Sequence, residues 1–260
     1  MSLRTTRASG SVAPTLSPAE PARAARSVRR AAACLLLLQF ACMWGTLFVL
    51  APAIDWPASL ELSADAILPL LDERLGAALG GCGLYFAHSL LLIAIACFLP
   101  SALGIDGTLA RFVLVLGSLA GLAKALGLAR WLFAMPVLAS AWVDPETSDM
   151  ARAAISVAFD ALDAYAGGIG ELMGVSLFAG AWTVTLSLAL LHAGKADGAA
   201  RRPAARGLGW VGLAIAPLVL LLFVGVVGFD TGPLPVVSTV VWQFWSAAIA
   251  IWLFRSSGEV

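Results

Sequence analysis

Six long apolar runs, separated by shorter polar stretches, make up most of the chain after residue 30. An α-helix needs about 20 apolar residues to cross the roughly 30 Å hydrocarbon core of a bilayer. The spans predicted from the runs are residues 31–54, 80–103, 109–132, 166–191, 207–228 and 236–254. The pattern therefore predicts an all-α fold, a polytopic membrane bundle of six transmembrane helices.

The third apolar run is longer than one span requires. It covers residues 109–143, and about 35 residues at about 1.5 Å each exceed the hydrocarbon thickness. We expect the span to end near Arg130 or to kink at Pro136, where a helix loses a backbone hydrogen bond. Gly117 and Gly121 form a Gly-x-x-x-Gly pattern that could allow close packing against another helix.

Two acidic stretches outside the spans also have helical patterns. In residues 55–79, leucine and isoleucine recur at helical spacing from about Ser63 onward, which indicates a helix lying on the outer membrane surface or capping the bundle. Asp144-Pro145-Glu146 indicates the start of a second helix. This helix can bend at Gly167-Gly168 and continue into the fourth span. The sequence thus predicts amphipathic extracytoplasmic helices.

The composition supports a membrane environment. Of the 260 residues, 60% are hydrophobic and 12% are charged, and the mean hydropathy is +0.92. This small number of charges cannot cover the surface of a water-soluble domain. Lipid must therefore be the solvent for most of the chain. Residues 1–30 differ, being rich in Ala, Ser, Pro and Arg without apolar periodicity, and we expect a disordered basic cytoplasmic tail. The first apolar run is too long for a cleaved signal peptide and should act as a signal anchor.

The positions of the basic residues predict the orientation. With six spans and both termini cytoplasmic, 12 of the 16 Lys and Arg residues lie on the cytoplasmic side. Arg74 and Arg152 are the two outside, and Lys124 and Arg130 remain within the third apolar run. The positive-inside rule therefore favours a multi-pass protein of the cell inner (plasma) membrane with cytoplasmic N- and C-termini and an acidic outer face. The cytoplasmic set is Arg4, Arg7, Arg23, Arg26, Arg29, Arg30, Arg111, Lys195, Arg201, Arg202, Arg206 and Arg255.

Charges inside the spans are candidates for a functional site. A charge at the centre of a spanning helix costs about 2.5–3.5 kcal/mol on insertion scales. Counting along the helices places Lys124 past the middle of its span and places Arg130 and Glu171 near the same outer boundary. An ion pair between Arg130 and Glu171 would lock two helices together. Asp163 falls on the same face as Glu171 if their helix is continuous.

Two interpretations of these residues stay open. In the first, Lys124, Arg130, Asp163 and Glu171, with Tyr85 and His88 of the second span, line an outward-facing polar site. Such a site could bind or move a small polar solute or a proton. In the second, the acidic residues and Arg130 form a structural salt bridge at the membrane boundary and Lys124 snorkels outward. The protein would then be a structural or partner-binding membrane subunit, and Tyr85 and His88, one turn apart in the second span, would be a satisfied pair at a helix interface.

Known enzyme motifs do not account for the chain. It has no His-Glu-x-x-His, no Gly-x-Ser-x-Gly and no phosphate-binding glycine loop. Gly168-Ile-Gly-Glu171 is similar to the Gly-x-Gly-Asp of intramembrane aspartyl proteases, but the acid is Glu and no Tyr-Asp partner precedes it. An intramembrane enzyme of unknown chemistry is thus the weakest hypothesis. We expect no enzyme, no cofactor, no metal site and no nucleic-acid partner.

The four cysteines lie in apolar runs and are interpreted as packing residues. The expected partners are the lipid bilayer, a small polar solute and either a second copy or another membrane protein.

Three stretches of the chain resemble a known family. They are Gly127-Leu-Ala-Arg-Trp131, Phe159 to Gly174, and Arg206-Gly-Leu-Gly-Trp-Val-Gly212. Together they resemble the bacterial multi-pass membrane proteins of domain of unknown function 4386, over about residues 109–255. The resemblance implies a six-helix integral membrane protein without an assigned activity. It also makes Arg130 and Glu171 matching motif positions, although it supplies no substrate.

Overall fold

The computed structural model describes residues 19–196, 202–227 and 232–257, and within these ranges the secondary structure is helical. Arg201, Gly228 and the first 18 residues of the predicted tail lie outside the described residues. The α-helices are α1 (Ala19–Ile54), α2 (Ala64–Glu73), α3 (Leu75–Leu103), α4 (Gly107–Ala129), α5 (Met135–Val143), α6 (Asp149–Gly167), α7 (Ala179–Ala196), α8 (Arg202–Leu220) and α9 (Leu234–Ser256). Two π-helical segments, Arg130–Ala134 and Gly168–Phe178, and two 3₁₀ segments, Ala58–Glu61 and Leu221–Val227, complete the order.

Among the described residues, six helices are long and apolar enough to cross a membrane. The prediction of six apolar spans is confirmed, and the protein is a multi-pass membrane protein. Most of these helices extend well beyond the predicted runs. Their apolar spans are Arg23–Ile54, Leu75–Leu103, Gly107–Val143, Asp149–Ala193, Pro203–Gly225 and Leu234–Ser256.

Disorder was predicted through residue 30, but α1 already begins at Ala19. Ala and Arg, which dominate this part, are among the best helix formers. The helix is also held by side-chain contacts, because Arg29 Nε donates to the Ala102 carbonyl at 3.1 Å and Arg30 Nε donates to Ser257 Oγ at 3.2 Å. The prediction was wrong for residues 19–30 because these contacts to α3 and to the end of α9 cannot be read from local composition.

The third apolar helix does not end at Arg130. Helix α4 passes through the π segment Arg130–Ala134 into α5, which ends at Val143. The irregular segment ends at Ala134, two residues before Pro136, where a regular helix would lose a hydrogen bond. At about 1.5 Å per residue the combined helix is far longer than the hydrocarbon core is thick. Part of it must therefore project beyond the bilayer or be strongly tilted.

The helix that leads into the fourth span begins at Asp149, later than the start predicted at Asp144-Pro145-Glu146. Asp144 accepts a hydrogen bond from the Glu146 amide at 2.9 Å and forms a turn after α5. The N-cap of α6 is Ser148, whose Oγ accepts from the Ala151 amide at 3.3 Å. Helix α6 continues through the π segment Gly168–Phe178 into α7, so the expected continuity through the glycine pair is confirmed.

Packing divides the bundle into two hydrophobic cores. We call the end that carries residues 55–63 and 144–148 the Trp56 end, and the end that carries residues 104–106 the Arg29 end. Helices α2, α5 and α6 pack together at the Trp56 end. The core there includes Leu50, Ile54, Ile67, Leu68, Leu71 and Met135. The larger core fills the rest of the bundle and includes Leu36, Leu92, Leu99, Trp182, Trp245 and Ile249.

Small residues set the closest helix approaches within the bundle. A Cβ added to Gly117 would lie 2.7 Å from Ala96 Cβ, and one added to Gly121 would lie 2.7 Å from the Ser89 carbonyl oxygen. The expected use of the Gly-x-x-x-Gly pattern for close packing is therefore confirmed, with α3 as a partner of α4.

Candidate functional site

The candidate site is built on a close contact between α4 and the π segment Gly168–Phe178. A Cβ on Gly127 would collide with Gly170, and a Cβ on Gly174 would lie 2.7 Å from the Lys124 amide nitrogen. The two helices run antiparallel, so this register places Glu171 beside the end of α4. The charged residues of the third and fourth spans are thereby brought to one place.

Arg130 lies at the centre of an ionic cluster. Its guanidinium Nη2 donates to Glu171 Oε1 at 3.4 Å, so the ion pair that the matching depths allowed is present. Its Nε is 3.0 Å from Asp163 Oδ1, although the N–H is not aligned for a hydrogen bond. Nη1 donates to the Gly127 carbonyl at 3.3 Å. One arginine therefore joins α4 to both α6 and the following π segment.

The two acidic partners differ in exposure. The Arg130 side chain is 6% exposed, that of Asp163 is 29% exposed and that of Glu171 is 66% exposed. Asp163 is also the closer of the two acids. One guanidinium cannot neutralise two carboxylates, so the cluster carries an excess negative charge. The longer distance and greater exposure place that excess on Glu171.

Lys124 lies deeper in the bundle, on the same helix as the arginine cluster. Its Nζ is 5.6 Å from the ring centroid of Tyr85 on α3 and 5.9 Å from that of Trp242 on α9, both within cation–π range. Within the described part of the chain, no ion pair with a carboxylate involves Lys124. The ammonium group thus lies between helices rather than snorkelling to the boundary, and its positive charge has no acidic partner there.

A cavity of about 490 Å³ connects these charged groups. It lies between α1, α3, α4, the π segment Gly168–Phe178 and α9, and it reaches Trp56 at the Trp56 end. Tyr85, Lys124, Arg130 and Glu171 contribute to its wall. Most of the rest is apolar and includes Met43, Leu47, Leu50, Leu172, Val175 and Val240. The volume and the mixture of apolar walls with a few polar groups are typical of small-molecule sites.

Four of the six candidate site residues therefore line one cavity. Asp163 is not part of the cavity lining, but it contacts Arg130, which is. His88 also lies behind the cavity wall, completely buried, with its ring 5.7 Å from that of Tyr85. Both residues belong to α3, so this edge contact lies within one helix, with the Tyr85 ring at the cavity and the His88 ring behind its wall.

A buried polar cluster around His88 was missed by the sequence analysis. Gln243 Nε2 lies 2.8 Å from His88 Nε2, and Gln39 Nε2 donates to the His88 carbonyl at 3.1 Å. All three side chains are buried. The sequence did carry a signal for this cluster, because the first and sixth apolar runs each contain a glutamine. Polar side chains inside a membrane bundle normally face a polar partner.

The π segments were also missed. Arg130 begins the first and Glu171 lies near the start of the second, so both members of the predicted ion pair occur in irregular helix. π-helical segments are rare and frequently mark functional sites. The glycines at positions 167, 168 and 170 were the sequence signal for such a departure from regular helix.

Comparisons with known proteins agree with the resemblance noted in the sequence. A family model described as "Domain of unknown function (DUF4386)" matches residues 30–256. The match includes the first two spans, which the sequence motifs did not cover. No curated protein and no solved structure matches the chain.

Proposed function

The chain belongs to the family of domain of unknown function 4386, and we propose that it binds a small solute within the membrane, as a receptor or a carrier without catalytic activity. The observation that supports this proposal best is the 490 Å³ cavity lined by both Lys124 and Glu171. Charges are costly at this depth, and a lysine without an acidic partner has only its cation–π contacts with Tyr85 and Trp242 to offset that cost. A ligand with complementary charge gives both groups a role.

We further propose that the cavity opens outward. The Trp56 end carries Asp55, Glu61 and the acidic segment 144–149, whereas Arg29 and Arg30 lie at the opposite end. The positive-inside rule then places the Arg29 end and both termini in the cytoplasm. The solute would enter from the outer side of the plasma membrane, beneath the cap formed by α2, α5 and α6.

A structural role is the second candidate, and the contacts of Arg130 favour it. An arginine that joins α4 to Asp163 and Glu171 stabilises the arrangement of three helical segments without any ligand. In that case the protein would serve as a membrane subunit that binds a partner protein. The structural role accounts for Arg130 but not for Lys124, which makes no comparable contact in the described part of the chain.

The experiment is to block the cavity without changing its charges. Val240 lines the cavity from α9, and the next residue, Val241, does not. Val240→Trp should fill part of the cavity, and Val241→Trp is the matched control. Native mass spectrometry of the gently extracted protein should show a small-molecule adduct on the wild type and on Val241→Trp that is lost from Val240→Trp.

Two results would contradict the proposal. The first is a wild-type protein that carries no adduct. The second is an adduct that survives in Val240→Trp while both variants melt like the wild type. A protein subunit that co-purifies in equal amount with all three forms, without any small adduct, would instead support the structural role.

A further inference from the structure

We infer that the ligand is a zwitterion, with an oxyanion beside Lys124 and Tyr85 and a primary ammonium beside Glu171, attached to an apolar group. This inference rests on the proposed function, since it assigns a chemical class to the occupant of the same cavity. Four features support it: the charge balance of the site, the separation of the two charges, the groups beside Lys124, and the apolar remainder of the wall.

The charge balance comes first. Lys124 and Arg130 contribute two positive charges, and Asp163 and Glu171 contribute two negative charges. Arg130 contacts both carboxylates, Asp163 at 3.0 Å and Glu171 through a 3.4 Å hydrogen bond, so the two acids exceed its single charge by one. What remains is a positive charge at Lys124 and one negative charge shared by the acidic pair, of which Glu171 lines the cavity. A ligand with net charge would leave one of these charges without a counter-charge, which is most costly at Lys124 because its ammonium lies between helices. A zwitterion matches both and leaves the site neutral.

The separation of the two charges is fixed by the backbone register. Lys124 packs against Gly174, and Gly127 packs against Gly170. Glu171 therefore originates about one helical turn closer to the Trp56 end than Lys124, and one turn of α-helix is about 5.4 Å. The two side chains do not form an ion pair with each other. A compact molecule that carries both charges, such as an α-amino acid or a phosphoethanolamine group, can contact both at once.

The groups beside Lys124 favour an oxyanion there. Tyr85 lines the same cavity, and its described side-chain contacts are with the rings of Trp56 and His88 and with the Lys124 ammonium. Its hydroxyl is therefore available to donate to an oxyanion held by Lys124. Hydrogen bonds between a charged donor and an oxyanion are about twice as strong as neutral ones.

The remaining wall accepts an apolar group. Met43, Leu47 and Leu50 line the cavity from α1, and Leu172 and Val175 line it from the π segment. A ligand that fills only the charged part would leave most of this surface unoccupied. Two sources offer the required chemistry: a free amino acid with an aliphatic side chain, and the headgroup of a zwitterionic lipid with a primary amine.

The test uses the full-length protein in lipid nanodiscs. In discs of phosphatidylglycerol alone, the binding of radiolabelled L-leucine is compared with that of two analogues. Isopentylamine lacks the carboxylate of leucine, and 4-methylpentanoate lacks its amine. In discs that contain phosphatidylethanolamine, native mass spectrometry counts the phospholipid retained on the released protein. Leucine binding identifies a free amino acid as the source, and selective retention of phosphatidylethanolamine identifies the lipid.

The variants are Lys124→Met and Glu171→Gln. Their matched controls, Arg111→Met on α4 and Glu73→Gln on α2, remove exposed charges remote from the cavity. Each site variant should weaken binding of the zwitterionic probe by about tenfold or more, the effect of one lost charge-assisted hydrogen bond. The controls should stay within about twofold of the wild type by the same scale. Lys124→Arg retains the charge and should retain most of the binding, which separates a binding loss from misfolding.

Three outcomes would overturn the inference. If 4-methylpentanoate binds as tightly as leucine and Glu171→Gln strengthens it, the site prefers an anion. If isopentylamine binds as tightly and Lys124→Met strengthens it, the site prefers a cation. If neither zwitterionic probe binds, while an adduct is still displaced by Val240→Trp, the ligand class is wrong and the proposed function stands. Persistence of every adduct in Val240→Trp would instead reject the proposed function itself.

Discussion

Gly127→Ala tests whether the contact between two glycines holds the site together. The added Cβ would collide with Gly170 and lie 2.7 Å from the Ala166 carbonyl oxygen. Carbon atoms in ordinary contact are about 3.5–4.0 Å apart, so α4 and the facing helix must separate by more than half an ångström. Overpacking of this kind costs about 1–3 kcal/mol. The separation would also lengthen and so weaken the 3.4 Å contact of Arg130 with Glu171.

The matched control is Gly168→Ala, because a Cβ at that position meets nothing within 4 Å. It should be neutral or stabilising by up to about 1 kcal/mol, since Ala is the better helix former. Thermal unfolding in detergent measures both. For a chain of this size a loss of about 2 kcal/mol corresponds to a fall in Tm of roughly 4–8 °C. If Gly127→Ala melts like Gly168→Ala, the close contact does not determine the stability of this helix pair.

Two further predictions concern stability. Asp163→Asn should lower the free energy of unfolding by about 1–3 kcal/mol, because it leaves the buried Arg130 guanidinium with only its more distant and more exposed acid. Glu171→Gln should lower it by less than about 1 kcal/mol. Equal losses of stability in SDS-induced unfolding would contradict this order. Trp182→Phe should cost roughly 1–2 kcal/mol because Trp182 Nε1 donates to the Val113 carbonyl at 2.9 Å in the core. The exposed Trp210→Phe should leave Tm within about 1 °C, because exposed substitutions rarely change stability.

The spans and the Arg130–Glu171 pair were predictable from the sequence for a common reason. Apolar length fixes how many helices cross the bilayer, and residue counting then fixes the depth of each charge. Two opposite charges at the same costly depth have a strong reason to meet. The 3.4 Å contact between Arg130 and Glu171 confirms that reasoning.

Other features depend on contacts between distant segments. Residues 19–30 have no apolar periodicity, yet Arg29 and Arg30 hold them in α1 by bonds to α3 and to the residue that follows α9. Lys124 lies beside Tyr85 and Trp242 because α3, α4 and α9 converge there. The cavity is a space between helices and has no sequence pattern of its own.

The two cations of the third span show how a structural and a binding role can coexist in one bundle. Arg130 is surrounded by a carbonyl and two carboxylates, so its substitution will disturb folding whatever else the protein does. Lys124 lies in the same cavity beside two aromatic rings and has no carboxylate partner among the described residues. A defect at Arg130 therefore cannot distinguish the two roles. A substitution of Lys124 can distinguish them, because the structural interpretation gives its charge no acidic partner, whereas the binding interpretation requires that charge for the ligand.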